Sequence, residues 1–106
     1  MLFRSANEEM KTWRAWMDKN MPGANKADAN HVYGYAVSYL MTETLKRCGN
    51  DLTRANLMKQ AASFQKFRVP LLLPGSSITT SPTDYGVIKF MKLQRFNGKS
   101  WDFAED

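Results

Sequence analysis

The sequence predicts a mixed α/β chain in which three helices are followed by an extended segment and a C-terminal β-hairpin. Apolar residues recur at helical spacing in three segments that end near residue 67. Beyond them lie an apolar stretch bounded by prolines and an Asn-Gly pair that follows β-forming residues. At 106 residues the chain has room for one domain or part of one, so we expect a single unit over 1–106.

The first helix is predicted to begin at a capping box and to end at about Asn20. The box is Ser-Ala-Asn-Glu at 5–8, in which the hydroxyl and the carboxylate satisfy free backbone amides. Met10, Trp13 and Met17 then fall on one stripe at helical spacing. We interpret this stripe as core packing.

The second helix is predicted from about Ala29 to Cys48, after a loop at 21–28 and before Gly49 as its stop signal. Apolar residues surround most of its first half: Val32, Tyr33, Tyr35, Ala36, Val37, Tyr39, Leu40 and Met41. Part of this surface is expected to face the third helix: Val32, Ala36, Tyr39 and Leu40. A helix that is apolar nearly all round needs cover on several sides, more than so short a chain easily supplies.

The third helix is predicted to start after Thr53 as its cap. Its buried stripe is expected to consist of Leu57, Met58, Ala61 and Phe64 or Phe67. The next apolar stretch, 69–75, contains prolines that confine it to a sheet edge or a covering role. Residues 76–86 are rich in Ser, Thr, Pro and Gly, which predicts a surface connection.

The C-terminal residues are predicted to form a β-hairpin. Residues 87–96 have β character, with a slip in their alternation that indicates a bulge or bend. Asn97-Gly98 favours a two-residue type I′ turn, because both residue types accept positive φ. That register places Trp101 opposite Gln94.

The charge balance gives a net charge of +5, but the acidic residues are interleaved with the basic ones. Because no basic run exceeds a pair, a solvated mixed-charge surface is favoured over a nucleic-acid interface. No stretch approaches the ~18 apolar residues of a membrane-spanning helix. The first residues contain no apolar signal-peptide core, so the signal of an exported parent protein is expected outside this sequence.

The sequence contains no recognisable catalytic motif, so we do not expect an enzyme. Cys48 and His31 are the only residues of their types, and we expect neither a metal site nor a cofactor. Asp84 could be imagined as a general acid. An Asp beside Pro and Gly more often closes a turn through backbone amides, and this interpretation is favoured.

Four segments, taken in order, resemble the C-terminal third or quarter of the branched-chain-amino-acid-binding family of ABC transporters. They are Asn-His-Val-Tyr-Gly-Tyr-Ala at 30–36, Cys-Gly-Asn-Asp-Leu-Thr-Arg at 48–54, Leu-Leu-Pro-Gly at 72–75 with Thr-Ser-Pro-Thr-Asp-Tyr at 80–85, and Leu-Gln-Arg-Phe-Asn-Gly-Lys-Ser-Trp at 93–101. The resemblance implies a C-terminal fragment of the type I periplasmic binding protein fold. Residues 1–20 would form a second-lobe helix, and 29–106 would form first-lobe and crossover elements.

The resemblance also implies a function. Members of the family lie in the periplasm and have two lobes, which close on a solute by hinge motion. They then deliver the solute to a membrane permease. The expected solute is an amino acid or a related organic acid or amide. In this chain only the start of the second helix corresponds to a ligand-contacting position, so Asn30, His31 and Tyr33 are the expected ligand-binding residues.

Two other functions stay open. The chain could be a non-binding structural or interaction fragment that associates with itself, and we expect an isolated fragment of this kind to form a homodimer because its second helix lacks cover. The weaker alternative is a small basic nucleic-acid binder. In the solute-binding and self-associating interpretations no nucleic acid is expected as a partner.

Overall fold

A computed structural model describes residues 8–104 of the chain. Within them lie three helices and one antiparallel pair of strands: α1 Glu8–Asn20, α2 Ala29–Cys48, α3 Arg54–Ala61, β1 Gln94–Phe96 and β2 Trp101–Phe103. The predicted mixed α/β layout, helices first and a hairpin last, is confirmed. None of the described helices combines the length and the apolar character needed to cross a membrane.

Helix α1 ends at Asn20, as its sequence predicts. Most of the predicted capping box lies outside the described residues. Met10, Trp13 and Met17 are buried, as expected from their spacing. They form a first core cluster with Val32 of α2 and with Leu71 from the apolar segment that follows α3.

Helix α2 has the predicted bounds, and both of its ends have identifiable caps. Asp28 precedes it in an extended conformation, and its Oδ1 accepts a hydrogen bond from the Asn30 amide at 2.9 Å. Gly49 ends it with a φ of +58°, a conformation that an L-residue adopts only under strain.

The expectation that Val32 faces the third helix is wrong, because Val32 packs in the α1 cluster. Ala36 and Leu40 pack against a second core cluster instead, which lies beyond α3 in the chain. This second cluster consists of Phe64, Val69 and Ile78.

Helix α3 begins after Thr53, whose Oγ1 accepts from the Asn56 amide at 3.3 Å, so the predicted cap is confirmed. The predicted buried stripe is wrong. The helix ends at Ala61, none of its residues is buried, and Met58 is exposed. Phe64 is buried, but it lies past the helix end, where the chain turns back beneath α2.

A hydroxyl from a distant segment accounts for this early helix end. Thr80 is buried, and its Oγ1 donates to the Ala61 carbonyl at 2.7 Å and accepts from the Phe64 amide at 3.1 Å. Two backbone groups that helix continuation would pair are therefore satisfied by one side chain. The burial of Thr80 and of Ile78 also corrects the prediction that all of 76–86 lies on the surface.

Residues 69–75 cover the helices and do not pair as a strand, which is one of the two roles that their prolines allow. Val69 and Leu71 are buried in the second and first core clusters respectively. We call 69–75 the covering segment.

The C-terminal hairpin is present, but its predicted length and register are wrong. Strand β1 covers only Gln94–Phe96, and Phe96 pairs with Trp101, where a two-residue turn would have paired Gln94 with Trp101. The side-chain Oδ1 of Asn97 accepts from the amides of Lys99 and Ser100 at 2.9 and 2.8 Å. These bonds stabilise a four-residue connection at 97–100 in place of a tight turn at Asn97-Gly98.

Candidate functional site

An open groove lies between the end of α1 and the first half of α2. Its volume is about 530 Å³. The lining residues are Trp16, Met17 and Met21 on one side and Asn30, His31, Gly34, Tyr35, Ser38, Tyr39 and Thr42 on the other. We call this feature the α1–α2 groove.

The short loop at 21–28 sets the spacing of the two groove walls. The Met21 amide continues the α1 ladder with a bond to the Met17 carbonyl at 2.7 Å, and Lys26 reaches back to pair with Asp18. Asp28 then caps α2. Because both ends of the loop are fixed by hydrogen bonds, the two helices are held apart at a defined separation.

Aromatic rings form much of the groove surface. Trp16 and Tyr35 meet edge to face across the helix pair, with ring centroids 5.1 Å apart and an interplanar angle of 66°. The ring of Tyr39 stacks on the ring of Phe67, with centroids 6.3 Å apart. Trp16 and Tyr39 are still more than 40% exposed, so their remaining ring surface is open to a bound molecule.

Polar groups in the groove are available for hydrogen bonding. Within residues 8–104, the side chains of Asn30, His31 and Ser38 donate to and accept from no other described residue. No Lys, Arg, Asp or Glu belongs to the lining. The groove therefore offers amide, imidazole and hydroxyl groups beside aromatic surface, without a fixed charge from an acid or a strong base.

Two of the three predicted site residues lie in the groove. Asn30 and His31 line its wall at the start of α2. Tyr33 is not among the lining residues and is 69% exposed on a different face of the helix, because two residues further along an α-helix correspond to a rotation of ~200°.

The aromatic wall of the groove was not predicted from the sequence. Tyr35 and Tyr39 follow His31 at intervals of four residues, so all three lie on one face of α2. This spacing was a usable signal in the sequence. Trp16 carried no such signal, since its place opposite Tyr35 depends on how the loop at 21–28 reverses the chain.

Asp84 occupies a turn, as its neighbours in the sequence predict. Its Oδ1 accepts from the Gly86 amide at 2.9 Å, and its Oδ2 pairs with Lys89 Nζ at 2.9 Å. The Lys89 side chain and the Gly86 amide hold the pKa of Asp84 below its usual value. A general acid at neutral pH needs a raised carboxyl pKa instead.

The part of the chain from 8 to 104 contains no group of three His, Cys, Asp or Glu residues that could hold a metal ion. Comparison of the chain with protein-family models, with curated proteins and with solved structures found no match. What the α1–α2 groove can bind is therefore inferred from its own chemistry. Aromatic walls with a few uncommitted polar groups suit the planar or apolar part of a small organic molecule.

Proposed function

We propose that this chain is the C-terminal part of a type I extracytoplasmic solute-binding protein, which captures an amino acid or a related small organic solute for an ABC importer. The four ordered sequence segments that resemble this family support the proposal. The observation that carries it furthest is the α1–α2 groove, in which Asn30 and His31 stand beside exposed aromatic rings.

The chemistry of the groove limits which part of a solute it would hold. Burial of a neutral polar group without a hydrogen-bonding partner costs on the order of 2 to 7 kcal/mol, and burial of an unpaired carboxylate or ammonium costs far more. The groove lining contains no Lys, Arg, Asp or Glu. In the proposed protein, the charged groups of the solute bind to other parts of the longer chain, and the groove receives the uncharged part.

The uncovered surface of α2 fits the same proposal. Val37 and Met41 are about half exposed, although both are apolar and lie in the middle of the helix. In an α/β protein, helices of this kind lie against a sheet, which covers such a face. A longer chain with a first-lobe sheet would supply that cover.

Nuclear magnetic resonance titration of the 106-residue chain tests the proposal. Leucine, phenylalanine and phenylacetamide are added separately, and amide shifts are followed over 30–42. Because the chain would supply only part of the pocket, we expect weak binding by at least one solute, with a Kd on the order of millimolar.

A groove-filling variant provides the decisive control. A Cβ at Gly34 meets no atom within 4 Å, and Gly34 lines the groove, so we expect the side chain in Gly34→Leu to occupy it. Gly23→Leu makes the same chemical change outside the lining, and a Cβ there is also unobstructed. We expect the shifts to disappear in the first variant and to persist in the second. Shifts that are absent for every solute, or that survive Gly34→Leu, would overturn the proposal.

A self-associating fragment without a solute is the second candidate function. It is favoured by the number of large apolar side chains that remain exposed along α2 and in the C-terminal hairpin. An oligomer that forms without any solute response in the groove would support this candidate over solute capture.

A further inference from the structure

The C-terminal hairpin has one aromatic face and one charged face. Side chains of cross-strand partners, and of residues two apart on a strand, lie on the same side of a sheet. The register Phe96↔Trp101 and Gln94↔Phe103 therefore places Phe96, Trp101 and Phe103 together. Arg95 and Asp102, which pair with each other, occupy the opposite side. We call the first side the aromatic face of the hairpin.

Among the described residues, no core residue covers this aromatic face, although the Lys92 ammonium lies 5.5 Å from the centroid of the Phe103 ring. Phe96, Trp101 and Phe103 are 53%, 65% and 47% exposed, and neither core cluster includes a hairpin residue. The ring centroids of Phe96 and Trp101 lie 5.3 Å apart, so the face is preassembled. A two-stranded sheet on its own is marginally stable in water and needs a packing partner.

Helix α2 carries a second uncovered apolar surface. Its members follow one another at intervals of four residues and are between 45% and 69% exposed: Tyr33, Val37, Met41 and Leu45. Residues four apart are neighbours on a helix surface, so the four side chains form one continuous row. We call this row the α2 stripe.

We propose that the aromatic face of one hairpin packs on the α2 stripe of a second copy of this chain, and that the second hairpin packs reciprocally on the first chain. Every copy carries both surfaces, so two reciprocal contacts satisfy all four surfaces and close a two-fold dimer. A single copy leaves both surfaces in water. This inference rests on the second candidate function, self-association, because a first-lobe sheet in a longer chain would cover the same Val37 and Met41 side chains.

The connection to the hairpin suits an exchange between copies. Lys89 is attached to the body of the chain through bonds to the Thr79 carbonyl at 2.6 Å and to Asp84 at 2.9 Å. Residues 90–93 form no helix or strand and lead away to β1. The Cα radius of gyration is 16.1 Å, whereas a compact chain of this length has about 13 Å. This low compactness, together with the absence of hairpin residues from both core clusters, fits a hairpin that extends from the body of its own chain.

The exposed apolar area of the two surfaces approaches that of a standard dimer interface. Tyr33, Phe96, Trp101 and Phe103 each expose about half or more of their surface. Since an aromatic side chain buries ~150 to 250 Å², these four alone supply roughly 350 to 600 Å² per chain. The three aliphatic members of the stripe raise this figure toward the ~800 Å² per partner of a standard interface.

Charge predicts how the dimer responds to salt. Each copy has a net charge of +5, so two copies repel each other at long range. The contact itself is apolar, and salt screens the repulsion without weakening the contact. Association should therefore strengthen as salt concentration rises, which is the opposite of what an interface built on ion pairs shows.

Sedimentation equilibrium of the 106-residue chain at micromolar concentration tests the inference. The chain has a mass of 12.2 kDa, and we expect a species of twice that mass. Met41→Asp and Trp101→Ser should each shift the chain to monomer while the far-ultraviolet circular dichroism retains its helix signal. Arg95 lies on the charged face of the same hairpin, so Arg95→Ser is the control and should leave the dimer intact.

Cysteine pairing identifies which surfaces meet. In a Cys48→Ala background, chains with Val37→Cys are mixed with chains with Phe96→Cys and oxidised. The proposed contact predicts disulfide-linked heterodimers between the two variants. Links only between two Val37→Cys chains would show that α2 packs on α2, and a monomeric wild-type chain would show that the hairpin does not associate with another copy. Either of these results overturns the proposal.

Discussion

The Glu9 carboxylate receives the Arg68 guanidinium across 59 residues of sequence, with Nη2 of the arginine at 2.9 and 3.0 Å from the two carboxylate oxygens. The same carboxylate accepts a hydrogen bond from the Leu71 amide at 2.9 Å. Leu71 is buried and has a φ of +72°, an uncommon conformation for a leucine. Glu9 therefore connects α1 to the covering segment at the point where the backbone is strained.

Replacement of Glu9 by Ala is expected to lower the free energy of unfolding by about 1 to 3 kcal/mol. Most of this loss comes from the Leu71 amide, which is left without its acceptor. The pairing with Arg68 contributes less, because both side chains are partly exposed to water. Glu8→Ala removes an exposed pairing with Lys11 and should change stability by ~0.5 kcal/mol or less. Urea denaturation of both variants measures the difference, and equal losses would contradict the prediction.

Thr80→Val is expected to destabilise the chain by about 1 to 3 kcal/mol, although the two side chains have nearly the same shape. The substitution removes the hydroxyl that serves both the Ala61 carbonyl and the Phe64 amide. Thr79→Val is the matched control, since among residues 8–104 the Thr79 hydroxyl accepts from the exposed Lys66 amide alone, at 3.0 Å. Thermal unfolding should show a clearly larger drop for Thr80→Val. A drop of similar size in both variants would mean that burial of the Thr80 hydroxyl has no special role.

The hairpin connection should depend on the Asn97 side chain and on the conformation of Gly98. Asn97→Ala removes the acceptor for the Lys99 and Ser100 amides, and Gly98→Ala places a methyl group at a φ of +97°. Each change should cost about 1 kcal/mol of local stability. The measurement is the nuclear Overhauser contact between the rings of Phe96 and Trp101, which should weaken in both variants and persist in Lys99→Ala.

The helices could be predicted from sequence where local signals set their ends. Asp28 and Gly49 act within one turn of α2, so its bounds follow from adjacent residues alone. The end of α3 could not be predicted in this way. The end of α3 depends on the Thr80 hydroxyl, which is 19 residues away from Ala61 in the sequence. The spacing of apolar residues in α3 gives no indication of this contact. The apolar Phe64 consequently looked like part of the helical stripe.

The hairpin and the groove were also predicted only in part. Features set by neighbouring residues were predicted, and contacts between distant segments were not. The Asn97-Gly98 pair correctly indicated a hairpin, but the register follows from a side chain that accepts from two amides, which composition does not specify. Asn30 and His31, expected as ligand-binding residues from their place at the start of α2, line the groove, and their contact with a solute stays a prediction. The opposing Trp16 comes from another helix and was found only in the folded chain.

The turn that Asp84 closes should become less stable under acid conditions. The pKa of this carboxyl is lowered, first by the hydrogen bond from the Lys89 side chain and then by the Gly86 amide. A lowered pKa in the folded state means that folding favours the carboxylate. Its contribution is therefore complete above the ordinary Asp pKa and is lost as the pH falls through the lowered value. Because the carboxyl group is exposed, its effect on stability should be small and confined to acid pH.

Asp84→Asn should unfold with a flatter pH dependence below the ordinary Asp pKa, and Lys89→Met should raise the Asp84 pKa in a carboxyl carbon titration. An unchanged Asp84 titration in Lys89→Met would show that the lysine does not hold the carboxylate.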